Sequence, residues 1–338
     1  MLKHRRTANR HVAVIGAGLS GLACARRLQA AALEVTVFES EGRVGGRLAC
    51  WQDSDAVLDT GAQFMTVRTT ELQQQADIWE QAGVLAQWQP RMPEPVADPW
   101  LVGVPAMTCL AEHLTHGLTV FTGTSIERIS RVDQGWSLHT TAESLPGIFD
   151  AVVLATAPQS AARLIAGHVP QWEQMLTQID MLPCWTVLLR SLPLDFAWDA
   201  QILKDGPISW WARQDSKPGV RSHPGFSYWV LHADAYWSRQ HAHESEEHVA
   251  DLMVKHFVHE IMRMNDAMTV DILHVQYWPH ARRADKPQAL LTDNLWDDTL
   301  FLGVCCDALS HSRVEQAYVS GHRLAQRILQ SLSIKDDK

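Results

Sequence analysis

The chain of 338 residues is short of positive charge: 29 Lys and Arg stand against 38 Asp and Glu, a formal net charge of −9. Surfaces for nucleic acid or anionic membranes need the opposite balance, so neither is expected as a partner. Any anionic ligand must then be met by a local basic patch. Cysteine is scarce: six residues, at 24, 50, 109, 184, 305 and 306, with no C-x-x-C pair and no zinc spacing. Adjacent Cys305 and Cys306 are poor disulfide partners for each other. Reduced, mostly buried thiols, no metal site and a cytoplasmic location are the expectation. Apolar runs long enough to span a membrane are missing. Lys3, Arg5, Arg6 and Arg10 ahead of Val12–Ala25 imitate an export signal, but that apolar segment is part of a folding motif that cleavage would destroy. There is no G-x-S-x-G, no P-loop, no repeat and no low-complexity segment. His241, His243, His248 and His259 lack the H-x-x-x-H spacing of a helical metal site.

What is present begins with a strand, His11–Gly16, a tight turn through Gly16-Ala17-Gly18-Leu19-Ser20-Gly21, and an Ala/Leu-rich helix to Ala31. A second strand, Glu34–Glu39, ends on an acid 18 residues past Gly21. This is a unit for the ADP half of a dinucleotide. Gly16 permits the turn, Gly18 lets backbone approach the pyrophosphate, and Gly21 lets helix pack on strand. The amides around Leu19 and Ser20 and the helix dipole face the phosphates. Glu39 is placed for the ribose hydroxyls. Directly behind it come Ser40 and a second loop, Gly42-Arg43-Val44-Gly45-Gly46-Arg47, and then Asp59-Thr60-Gly61-Ala62-Gln63-Phe64. An NAD enzyme has no need of that second loop. FAD does, because its pyrophosphate and flavin run on through the protein. Gly45 and Gly46 allow close approach, and Arg47 is the expected cation.

The pattern resembles the glutathione-reductase-like FAD fold of the amine oxidase superfamily and, more narrowly, the bacterial branch of the renalase family. The likeness runs through Asp59–Arg68, Leu101–Met107, Val153–Gln159, Pro183–Trp185, Trp211–Arg213, Ser216–Pro218, Trp229–Ala233, Trp237–Ser238 and Arg313–Gly321. It implies an α/β protein: an FAD-binding Rossmann domain (1–68, 103–168, 290–338) and an α+β substrate domain with a mixed sheet and helices (69–102, 169–289). It also implies non-covalent FAD and a hydride donor that is a small reduced molecule, a 2- or 6-dihydro isomer of NAD(P)H. O2 would be the acceptor, giving H2O2, in a monomer or weak dimer. A flavin amine oxidase or desaturase-like enzyme on another small donor, and an FAD-binding protein without turnover, stay open beside it. Family geometry adds the backbone near Ile126 at the adenine, Ala155 after the returning strand, and Gly303, Val304, Arg313 and Val314 along the flavin. Where the family has Gly-Asp to hold the ribityl chain, this sequence has Gly303-Val304-Cys305-Cys306-Asp307, with Asp307 as the available substitute.

Hydride transfer from a dihydropyridine needs an aromatic slot and positioning groups more than acid–base machinery. Trp185, Trp211, Trp229 and Trp278 are the slot candidates, and His232 and His280 the polar ones. Lys217, Arg213, Arg282 and Arg283 are candidates for a dinucleotide's phosphates. The family's His-Arg-Trp reads Gln276-Tyr277-Trp278 here, a change that bears on substrate preference. Elsewhere, helices are expected over Glu71–Gln81 with Leu72, Ala76 and Trp79 inward, over Met107–His116, over Glu244–Met264 and after Ser312, with a proline-rich irregular loop at Pro90, Pro93, Pro95 and Pro99. Nine of the fourteen tryptophans lie from Trp172 to Trp296, among strand-like stretches at Cys184–Arg190, Ile208–Ala212, Phe226–His232 and Val270–Trp278.

Overall fold

Val12–Ile15 and Val152–Leu154 are unbroken apolar runs and Val35–Phe38 is broken only by Thr36, the kind of segment that forms strands buried on both faces. They make the middle of a sheet in the computed structural model, which describes residues 10–94, 99–263, 269–285 and 292–336. The lead-in at 1–9, Pro95, Met264 and the expected boundary at 289/290 lie outside the described residues. In chain order the elements are β1 (His11–Ile15), α1 (Leu19–Ala30), β2 (Glu34–Phe38), β3 (Cys50–Gln52), β4 (Val57–Asp59), α2 (Thr70–Gln81), β5 (Leu85–Trp88), β6 (Trp100–Gly103) and α3 (Thr108–Thr115). There follow β7 (Thr119–Phe121), β8 (Arg128–Val132), β9 (Gly135–His139), β10 (Ala151–Leu154), α4 (Pro158–Ile165), α5 (Pro170–Thr177), β11 (Met181–Ser191), β12 (Ala200–Ile202) and β13 (Ile208–Arg213). The rest is β14 (Ser227–Ala233), α6 (Ala235–Gln240), α7 (Glu246–His256), β15 (Val270–Arg283), β16 (Asn294–Asp297), β17 (Leu302–Cys305) and α8 (Val314–Asp336).

Two compact units result. The first comprises Met1–Gly46, Ala111–Asp180 and Asp285–Lys338; the second comprises Arg47–Leu110 and Met181–Ala284. The sequence puts the first break at 68, whereas here residues 47–68 go with the second unit. The reason is bonding: the Val57 amide donates to the Arg221 carbonyl at 2.8 Å and Lys217 Nζ lies 2.8 Å from Asp59.

The first unit holds a six-stranded sheet in the order β16-β17-β10-β1-β2-β7. All its pairings are parallel except β16 with β17. The chain builds outward from β1 to β2 and β7, then returns on the other side with β10 and β17. The strand order therefore reverses between β1 and β10, and ligands of open α/β sheets bind at the carboxyl ends of such a switch point. Helices α1 and α8 pack closely, because Gly321 presents no side chain to the Ser20 carbonyl; a Cβ there would come within 1.8 Å of that oxygen.

The second unit's main sheet, β12-β13-β14-β11-β15, is antiparallel throughout, where a mixed sheet was expected. Alternation along its strands divides its side chains sharply. Trp185, Val187, Leu189, Trp211, Trp229 and Leu231 all join Val249, Met253 and Phe257 in one apolar core, so this is the face covered by α7. Ser245 caps α7 by accepting from the His248 amide. The expected long helix ends at His256 and passes into a π-helical turn over Phe257–Ile261. No helix among the described residues is long and apolar enough to cross a membrane. Gly321→Ala is expected to wedge α1 from α8 and cost about 1–3 kcal/mol, to be read as a lowered midpoint in urea unfolding.

Candidate functional site

In the first unit the turn after β1 forms a cradle for phosphates. Gly16 has φ of +105°, and a Cβ on it would meet the Ala155 carbonyl oxygen at 2.6 Å. A Cβ on Gly21 would meet Gly16's own carbonyl oxygen at 2.0 Å. Gly18 differs: a Cβ on it would meet nothing within 4 Å. No protein atom demands glycine at that position, so the open space beside it is what a pyrophosphate would use. Gly18 is also the N-cap of α1 and provides no side-chain cap, which leaves the first-turn amides, including Leu19 and Ser20, to an anion. Gly45 donates to the Ala17 carbonyl at 2.9 Å, and Gly46 lies close to Gly18. The Glu39 carboxylate is buried and oriented, accepting from the Ala17 amide (2.7 Å), the Glu41 amide (3.0 Å) and the Ser40 hydroxyl (3.1 Å). The Thr124 amide donates to the Glu39 carbonyl, which brings the segment before Ile126 to the ribose acid. These residues fit an ADP moiety.

Two of the residues expected along the flavin lie in strand β17. Gly303 and Val304 sit inside β17, paired with Val153 and Leu154 on one side and with Trp296 and Leu295 on the other. Val304 is wholly buried, and Gly303 makes room for Leu324. The strand runs on to Cys305, and Asp307, 3% exposed, lies two residues past its carboxyl end. Arg313, exposed, and Val314, half-buried, open α8.

The second unit holds the rest of the candidates. Arg47 donates to the Ala281 carbonyl at 3.0 Å, and its own carbonyl accepts from Ala62; Gly61 is glycine because a Cβ would strike that carbonyl. Lys217 is no phosphate ligand. It is 5% exposed, bonded to Asp59 at 2.8 Å and Gln63 at 2.9 Å, with its ammonium 5.4 Å from the centre of the Trp88 ring. Asp59 also accepts from the Met107 amide. The Gln63 side chain is used up within the protein, donating to the Asp59 and Gly61 carbonyls and accepting from Lys217 and Gln214. Burial pushes the Asp59 carboxyl up and the Lys217 amine down, and their mutual attraction opposes both shifts. Arg213 is engaged by Asp199 at 2.8 Å. Arg283 is buried and Arg282 exposed.

Of the aromatic candidates, Trp185, Trp211 and Trp229 lie on the α7 face of the sheet, Trp185 donating to the His241 carbonyl and Trp229 to the Ser191 hydroxyl. They are core, and they are withdrawn as slot residues. Their strand neighbours take the opposite face. Register aligns Trp210 with His232, His232 with Thr186, and Thr186 with Gln276, a row across four strands on one face. Trp278, the next residue along β15 on that face, donates to the Thr60 carbonyl at 3.2 Å, and His280 follows two residues on. Phe64 stacks on Trp100 at 3.9 Å, with Trp210 5.6 Å from Phe64 and 5.4 Å from Trp100. Trp100, Trp210 and Thr186 were not legible as site residues; strict alternation counted out from the Trp-rich core positions is the signal that finds them. Burial, helped by the Lys217 charge, pushes His232 down to about 4 against a hydrogen bond to the Thr60 carbonyl. It is a neutral imidazole near pH 7. Among the described residues no cluster of three metal-binding side chains occurs.

Residues 19–83 match the family model described as flavin containing amine oxidoreductase. Protoporphyrinogen oxidase 2 of Arabidopsis thaliana is 46% identical over 65 residues, 19% of this chain and 13% of that protein. Polyamine oxidase 4 of Oryza sativa subsp. japonica is 48% identical over 54 residues, 16% and 11% of the two chains. The solved cyclohexylamine oxidase from Brevibacterium oxydans IH-35A aligns with a TM-score of 0.75 at 12% identity, over 96% of this chain and 100% of that one. Over nearly its whole length the chain has the fold of that solved oxidase. The family model covers only residues 19–83, and the curated relatives match over 11–13% of their own length.

Lys217→Met leaves the Asp59 carboxyl without its counter-charge and is expected to cost about 3–5 kcal/mol in urea unfolding, with Asp59→Asn in the same chain recovering part of it. The depressed His232 pKa also sets a pH dependence. The unfolded chain binds that proton more readily, so the contribution of neutral His232 is complete above pH 6.5 and is lost as pH falls towards 4. Unfolding free energy is expected to drop by up to about 3 kcal/mol across that window. His232→Gln should remove most of this slope in urea titrations at stepped pH.

Proposed function

We propose that this protein is an FAD-dependent oxidase of the renalase type, oxidising 2- or 6-dihydro isomers of NAD(P)H and reducing O2 to H2O2. The observation that supports it best is the face of the second unit's sheet opposite α7, which carries Trp210, His232, Thr186, Gln276 and Trp278. Its histidine is held neutral, its indoles are at Trp210 and Trp278, and the nearby carboxylate, Asp59, is committed to Lys217. A dihydropyridine already carries the hydride and needs no proton removed, so such a face has only to place a flat ring and exclude water.

Bound FAD supplies the hydride acceptor and the route to oxygen. The chain's own groups do the rest. Gly16–Gly21 and the amide end of α1 take the pyrophosphate, and Glu39 the ribose. Thr60 fixes both His232 and Trp278 through its carbonyl, so the segment leading into Gly61–Phe64 and the substrate-side residues are held in one arrangement. Net stoichiometry balances as dihydronicotinamide, O2 and one proton giving the oxidised nicotinamide and H2O2. A second reading, oxidation of a small amine, draws support from the names of the polyamine and cyclohexylamine oxidases. Anaerobic mixing of the purified protein with 6-dihydro-NAD is expected to bleach the oxidised-flavin absorbance, with air restoring it and releasing peroxide. A flavin that dithionite reduces but 6-dihydro-NAD does not would sink the substrate assignment in favour of an amine. A protein purified without FAD would sink the oxidase reading altogether.

A further inference from the structure

We propose that Trp210, His232, Thr186 and Gln276 form a specificity-determining row that accepts an uncharged ligand edge carrying an N–H donor group beside one acceptor, as a primary carboxamide does. The inference rests on the reading of this face as the substrate side. In the row, Trp210 Nε1, His232 Nε2 and Gln276 Oε1 are buried atoms without hydrogen-bond partners, and the Thr186 hydroxyl has no neighbour of that kind but the Cys184 thiol. Buried polar atoms are almost always paired, and each exception calls for a reason. Four in successive cross-strand positions share one reason more readily than four.

The chemistry of the four atoms specifies what is missing. Since Nε2 of His232 is unpartnered, the nitrogen that reaches the Thr60 carbonyl is Nδ1. A carbonyl can only accept, so Nδ1 carries the proton and Nε2 is a bare acceptor. Gln276 Oε1 is a second acceptor. Between them in register stands Thr186, wholly buried, with a single hydroxyl hydrogen. That hydrogen has the Cys184 thiol beside it and reaches neither acceptor, so both are left for the ligand. At the end of the row Trp210 Nε1 can only donate. The complement is therefore an N–H donor group and an acceptor side by side, reached through His232 and Gln276, which are both partly exposed. An ammonium would satisfy the acceptors and offer Trp210 nothing; a carboxylate would do the reverse.

Calorimetric titration of the FAD-loaded protein with nicotinamide and with 3-acetylpyridine tests this, because the second probe keeps the ring and carbonyl and lacks only the N–H. Nicotinamide is expected to bind at least about tenfold more tightly, the usual effect of leaving a buried acceptor unpaired. His232→Phe should bring the two affinities within about threefold. Trp210→Phe should weaken both alike and keep the preference. Equal affinities in the unaltered protein, no binding of either probe, or a preference that survives His232→Phe would overturn the assignment. If His232→Phe does not fold, Trp210→Phe decides, and a changed preference there counts against the row. Calorimetry reads binding alone, so a flavin that 6-dihydro-NAD fails to reduce would count against the reaction and leave this comparison standing.

Discussion

Taking an ammonium and a carboxylate out of water together costs several kcal/mol per ion unless each finds its counter-charge and enough further hydrogen bonds. Lys217 and Asp59 meet that condition through Gln63, Gln214 and the Met107 amide. The geometry this requires is strict, and the second unit is organised around it. Asp59 ends β4 and begins the segment that carries Thr60; Lys217 follows β13 through a short 3-10 turn. Holding the two together fixes the Thr60 carbonyl, and that one oxygen then orients both His232 and Trp278. A shift of the ion pair would be felt at the sheet face as a rotated imidazole and indole. The pair thus acts on the site without itself facing a ligand.

The cradle in the first unit was legible from sequence because its determinants are local. Gly16, Gly21 and Glu39 are set by sterics and spacing within one strand-turn-helix-strand stretch, and the structure shows the same atoms in contact that the spacing implies. The substrate unit was far less legible. Its strands were found, yet three of the four tryptophans chosen from them, Trp185, Trp211 and Trp229, lie on the covered face. A strand shows its neighbours to opposite sides, so an error of one position moves a residue from site to core. Only the helix packed against the sheet decides the side, and α7 lies well along the chain from β11 and β13. Lys217 shows the same limitation for charge: nothing adjacent in sequence announces that Asp59 is its partner.

The strand that carries Val304 is a different case. A Gly-Asp pattern was read at the position where Gly303-Val304 stands, while the strand itself continues to Cys305. Pairing with β10 settles the register and puts Gly303 and Val304 inside the strand. Sequence patterns anchored on a strand's interior depend on such pairing for their register, whereas those anchored on a turn with a positive φ, as at Gly16, do not.

The seating of Gly321 on the Ser20 carbonyl joins residues some three hundred positions apart in sequence. Strand β17 is likewise among the last elements made, and it pairs with β10 beside β1. During synthesis the whole of the second unit emerges before either contact can form. The phosphate-binding turn is therefore translated first and braced last, and a nascent chain has its nucleotide fingerprint exposed without the helix that backs it. Long-range closure of this kind is slow in parallel sheets. Until α8 and β17 are made, the turn that they back lacks its long-range contacts.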